Sequence, residues 1–98
     1  LGDNRLKLEI IEWVDSEGVG QNWQEIDSSV KRKLVTCFSF GFVCNESDEA
    51  ITVFPHYAHA NEHYKQGQGC GEMTIPKVAI LSRSVVAVLD EGNILNRV

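Results

Sequence analysis

The stretch Leu34-Val-Thr-Cys-Phe-Ser-Phe-Gly-Phe-Val-Cys44, followed by the polar turn Asn45-Glu-Ser-Asp-Glu49 and by Ala50-Ile-Thr-Val-Phe54, reads as a β-hairpin. Phe38, Phe40 and Phe42 recur at every second position, so an extended strand puts the three rings on one face. The opposite face carries Val35, Cys37, Ser39, Gly41 and Val43. These are mostly small, as the inside of a tightly curved sheet requires, and Gly41 is a candidate bend or bulge. Two arrangements are open. Either the small face looks inward and the rings point to a second element or a second subunit, or the rings fill the core. Ring area favours the core, at roughly 1.5–3 kcal/mol per buried Phe. The expectation is therefore that Phe40 is buried, with at least one of Phe38 and Phe42, and that Cys37 lies on the other face.

The rest of the chain reads mainly as strands. Leu6, Leu8 and Ile10 alternate with Lys7 and Glu9. The phase slips at Ile11 and Trp13, which predicts a bulge near Ile10–Ile11 or burial of both faces. Asp15–Asn22 is a loop by composition. Trp23, Ile26 and Val30 have helical spacing, so one short helix or 3₁₀ turn is expected there. Pro55 ends the hairpin strand or confines it to an edge. Residues 55–71 read as one long polar loop. Met73 and Ile75 then point inward, Pro76–Ala79 forms a turn, and Leu81–Leu89 is a closing strand. Its inward set is Leu81, Val85, Ala87 and Leu89, with Arg83 at a solvated end.

At 98 residues the chain has room for one small domain, with residues 1–5 a frayed end. The hydrophobic fraction of 43% is that of a folded protein. About five antiparallel strands with one tight turn predict a small barrel, SH3-like or Sm-like, with a five-stranded OB-like barrel as the alternative. An OB barrel wants a longer helix between strands three and four, and the loop before Gly71 shows no apolar helical stripe.

Nine Lys and Arg against fourteen Asp and Glu give a formal charge of −5, which argues against nucleic-acid binding by phosphate neutralisation. Three cysteines, Cys37, Cys44 and Cys70, leave one unpaired, and all three read as reduced thiols. No signal-peptide pattern and no membrane-length apolar run appears, so the expected setting is soluble and cytoplasmic, without membrane attachment.

Glu12-Trp-Val-Asp-Ser16, Trp23-Gln-Glu-Ile-Asp27, Ser39-Phe-Gly-Phe-Val43, the acidic turn at Glu46–Asp48, Ile51-Thr-Val53 and Gly71-Glu-Met-Thr-Ile-Pro76 occur in this order. Together they resemble a group of small uncharacterised proteins encoded in bacteriophage and prophage genomes. The resemblance covers most of residues 8–85. It implies phage or prophage origin and a host-cell cytoplasmic location, and it brings no activity and no catalytic residues. The His-rich loop and Cys70 stand outside the pattern.

Few residues point to chemistry. His56, His59 and His63, with Cys70 beyond, are the only ligand-like cluster, because imidazole and thiolate are good Zn²⁺ ligands. Their spacing matches no established ligand signature, so no metal or other cofactor is expected, and Zn is the alternative to test. Cys70 lacks a readable base and oxyanion site, so no catalytic residue is assigned and the chain is read as a non-enzyme. The carboxylates sit at turns. The aromatics remain: Trp13, Trp23, Phe38, Phe42 and Tyr57 are the candidate interaction residues. The leading expectation is a non-enzymatic protein-interaction module that self-associates or binds a phage or host protein. A metal- or ligand-binding protein using His56–Cys70 is the alternative. Single-stranded nucleic-acid binding through stacked aromatics is the third reading.

Overall fold

Alternation of apolar and polar residues along Leu6–Asp15 and Val35–Glu46 makes two long strands, β1 and β2. The structure is a computed structural model and describes residues 5–16, 23, 25–29, 34–90 and 94–98. Ala50–Phe54 (β3), His56–Ala58 (β4), Gln68–Cys70 (β5), Met73–Pro76 (β6), Ile80–Leu89 (β7) and Leu95–Arg97 (β8) follow. A 3₁₀ turn at Lys77–Ala79 lies between β6 and β7.

The fold is mainly β and antiparallel, as expected, but it is not the five-stranded barrel. One six-stranded sheet has the order β6-β3-β2-β1-β7-β8, and β4 pairs with β5 in a separate two-stranded sheet. No pairing joins β6 to β8 among the described residues, so the large sheet stays open. The radius of gyration of 17.6 Å exceeds the roughly 13 Å of a compact domain of this length.

Register decides which face each residue takes. Opposed residues of antiparallel strands share a face. Ile11 opposes Ser39, Trp13 opposes Cys37, Val43 opposes Val53, and Ile51 opposes Ile75. This inner face holds the core of Ile11, Ile51, Val53 and Ile75, with Trp13, Val43 and Ile80 packed against it. The small side of β2 therefore faces the core and its aromatic side faces out. Phe40 is 61% exposed and Phe38 64%, which overturns the expectation that the rings fill the core. Part of the reason is steric: a Cβ at Gly41 would stand 2.6 Å from both the Phe54 carbonyl oxygen and Val53 Cγ1, so the inner face has no room for a side chain at that position.

Of the two readings of the slip at Ile10–Ile11, burial on both faces holds, with Ile11 in the core and Ile10 half-buried on the outer side. Other expectations are corrected. Residues 25–29 contain a turn and no helix, and Trp23 and Ile26 are fully solvent-exposed; Gln24 and Val30 lie outside the described residues. The 55–71 segment is not one loop. It forms the β4–β5 hairpin, which lies against the outer face through Tyr57 and Phe42, with ring centroids 5.6 Å apart. Met73 is exposed while Ile75 is buried. In β7, Ala87 and Leu89 are buried but Leu81 and Val85 are not. Bulges in the β1–β7 pairing, between Leu8 and Glu9 and between Glu12 and Trp13, reset the alternation.

The core is thin, so each of its members carries much of the stability. Ile75→Ala should cost about 2–5 kcal/mol, much of the total for a domain of this size. Phe40→Ala should cost the isolated chain less than about 1 kcal/mol, because a largely exposed ring forfeits little burial. Urea titration of the two variants checks the contrast.

Candidate functional site

Three places hold the chemically distinctive side chains: a charged cluster on the inner face, the β4–β5 hairpin, and the outer face of β2.

The charged cluster was not anticipated from the sequence. Glu9 lies on the central strand β1 and is only 3% exposed. The Arg83 fork grips it, with Nε donating to Oε1 and Nη2 to Oε2, both at 2.9 Å. Arg83 also donates to Glu46, from Nη1 to Oε2 at 3.1 Å and from Nη2 to Oε1 at 3.0 Å. Lys77 Nζ closes the set 2.8 Å from Glu46 Oε2. Two bulges build it. The irregularity between Val43 and Asn45 shifts Glu46 to the side of Ile51, and the one between Leu8 and Glu9 sets Arg83 opposite Ile11. Both then join Glu9 on the inner face. Arg83 lies in the exposed first half of β7, as expected, but its guanidinium is committed to the two carboxylates. Hydrogen bonds from Arg83, then Lys77, hold the Glu46 carboxyl well below its usual range, at about 2. The two carboxylates raise the Arg83 guanidinium in turn, Glu9 most. Two negative and two positive groups thus satisfy one another and tie β1, β2 and β7 to the 3₁₀ turn.

The hairpin carries the ligand-like residues. Register places His56 directly opposite Cys70. His59 instead meets the Tyr57 ring edge-on at 6.0 Å, and His63 lies on the surface beside Glu62. No group of three or more His, Cys, Asp or Glu side chains converges among the described residues. Two paired donors fall short of the tetrahedral set that Zn²⁺ takes. Cys70 is exposed, while Cys37 and Cys44 are half-buried; burial pushes the Cys44 thiol up and away from thiolate character. No helix is long and apolar enough to cross a membrane among the described residues.

The candidate interaction residues separate. Trp13 belongs to the core side, where its indole Nε1–H donates to Ser39 Oγ at 2.9 Å. Phe42 and Tyr57 are half-buried against each other, and Gly69 leaves room for the Phe54 ring. Phe38 stays on the surface, and Phe40, which the sequence argument had put in the core, joins it. Ile10 opposes Phe40 and extends this apolar strip onto β1. The signal that identifies the strip is the small-residue alternation opposite the rings.

Comparison with protein-family models, with curated proteins and with solved structures gives no match.

Arg83→Met should cost about 3 kcal/mol in chemical denaturation, because it strands the Glu9 carboxylate without its partner. Glu9→Leu added to it should recover part of that loss. The folded-state value of Glu46 is depressed, so its contribution is complete above the ordinary carboxylate value of 4.5 and fades as pH falls toward about 2. Glu46→Gln should flatten the decline of melting temperature across that acid window, by a modest amount because the side chain is 42% exposed and screened.

Proposed function

We propose that this chain is a non-enzymatic interaction module that works by self-association, with a second copy of itself as the occupant of the Phe38–Phe40 strip. One observation carries the reading: two adjacent phenylalanines on one strand are more than half exposed, while the neighbouring Phe42 is covered. Exposed aromatic strips of this kind mark contact surfaces. The thin core and open sheet point the same way, because burial against another copy supplies apolar area that the single chain lacks.

The partner is a like chain rather than a polyanion. Glu12 opposes Phe38 on β1, and the net charge of −5 repels a phosphate backbone, so base stacking on these rings has no electrostatic support. The cluster at Arg83 has its donors committed to Glu9 and Glu46, which supports a binding role over catalysis. The resemblance to phage and prophage proteins supplies the proposed origin, and the host cytoplasm is the proposed place of action.

Sedimentation velocity across a wide concentration range tests the proposal. The parent should pass from monomer to dimer or higher species. Phe38→Ser with Phe40→Ser should stay monomeric, with its far-ultraviolet spectrum unchanged. A parent that stays monomeric at the highest attainable concentration overturns the reading.

A further inference from the structure

The two sides of β2 are not equally used. β1 pairs with it from Val35 to Val43, but β3 pairs only from Phe42 to Glu46. Pro55 follows the last residue of β3, has no N–H to extend the ladder, and the chain turns into β4. From Val35 to Phe40 the far side of β2 therefore has no strand beside it among the described residues, whereas Gly41 already abuts Val53 and Phe54. An unpaired edge is a template for another strand, and proteins blunt such edges with charge, proline or short length. The other outer strands are so protected: β6 has four residues and ends at Pro76, and β8 has three and ends at Arg97. Residues 34–40, Leu-Val-Thr-Cys-Phe-Ser-Phe, contain neither charge nor proline.

The same absence accounts for the exposed rings. Phe42 has Phe54 directly beside it across the β2–β3 ladder and is half-buried. Phe38 and Phe40 have β1 on one side but no strand on the other among the described residues, and are 64% and 61% exposed. At the corner where β3 stops, Ser39, Phe40, Val53, Pro55, Gly71 and Met73 line a notch of about 180 Å³. At the opposite end of the open edge, Leu34 and Val35 present apolar side chains that are 71% and 44% exposed.

We infer that β2 of a second copy adds antiparallel to this edge, joining two six-stranded sheets into one across a two-fold axis at Cys37. This deepens the self-association reading and rests on it. The register follows from geometry. A two-fold perpendicular to the sheet keeps each face on its own side, so the axis passes through a residue. Pairing Leu34 with the partner's Phe40 uses the whole open stretch and stops before Gly41 and Phe42, where β3 takes over. The midpoint of 34 and 40 is Cys37. Val35 then meets the partner's Ser39 beside the notch, and Thr36 meets the partner's Phe38 on the outer face. Each copy thus brings its exposed apolar end to the other's notch, and no charged residues are opposed. A contact of this length lies at the small end of specific interfaces, so the dimer depends on concentration.

The test uses two single-cysteine versions of the full chain under mild oxidation at a concentration where the parent sediments as a dimer. Cys44→Ser with Cys70→Ser keeps Cys37; Cys37→Ser with Cys44→Ser keeps Cys70. The Cys37 protein should form disulfide-linked dimer at least ten times faster than the Cys70 protein, although Cys70 is the more exposed thiol. In parallel, hydrogen exchange of the amides in residues 35–40 should slow with rising protein concentration. A dimer in which Cys37 crosslinks no faster than Cys70, and whose 35–40 amides exchange independently of concentration, overturns the strand pairing and leaves self-association standing. A strict monomer overturns both, and leaves the edge to an extended peptide of another protein.

Discussion

A carboxylate held out of water on the central strand constrains this sheet more than any apolar contact does. Glu9 has β2 on one side of its strand and β7 on the other, with 3% of its surface exposed. Its two buried oxygens require donors of fixed geometry, and the planar guanidinium of Arg83 supplies two parallel ones. Arg83 reaches inward because β7 is bulged opposite Leu8–Glu9, and Glu46 reaches the same point because β2 is bulged at Cys44. Three strands and the 3₁₀ turn carrying Lys77 are thereby tied to one charged centre. The bulges that build the centre also bend the strands. The curvature of the sheet and the satisfaction of Glu9 are one requirement.

The two long strands were legible because their alternation is undisturbed on one side. β2 and β3 fall where the hairpin pattern puts them, and the turn between them is sealed by Ser47, whose hydroxyl accepts from the amides of Glu49 and Ala50 at 3.2 Å. Pro55 and Pro76 punctuate as expected. What failed was parity. A bulge moves every later residue to the other face, and nothing in the composition of β7 announces one. Leu81, Val85, Ala87 and Leu89 therefore do not share the single face that alternation gives them, and the reach of the exposed Arg83 to Glu9 and Glu46 has no signal in the sequence. The β4–β5 hairpin was missed for a different reason. Its strands have three residues each, too short for any periodicity to register.

The phenylalanine stripe shows where area arguments reverse. Three large rings on one strand seem to demand a core, since burying them contributes more than burying serine and cysteine. That weighing compares side chains and omits the backbone. Gly41 brings β2 so close to Val53 and Phe54 that no side chain fits at that position, and Ile11, Ile51, Val53 and Ile75 fill the inner face instead. The parity that puts Gly41 inward puts the rings outward.

Their exposure there is set strand by strand. Where β2 has β3 beside it and β4 above, Phe42 is covered by the chain's own residues. Where Pro55 has turned β3 away, Phe38 and Phe40 keep the same pattern with β1 on one side and no strand on the other among the described residues. The same alternation is thus half-buried at Phe42 and exposed at Phe38 and Phe40. A run of residues suited to burial and left at an open edge has two physical outcomes, ordered pairing or indiscriminate aggregation. In the proposed pairing, the notch beneath Pro55 and the apolar Leu34–Val35 end separate them, because each copy's end meets the other's notch in one register. There, shape at the two ends, rather than hydrophobicity along the middle, would make the edge specific.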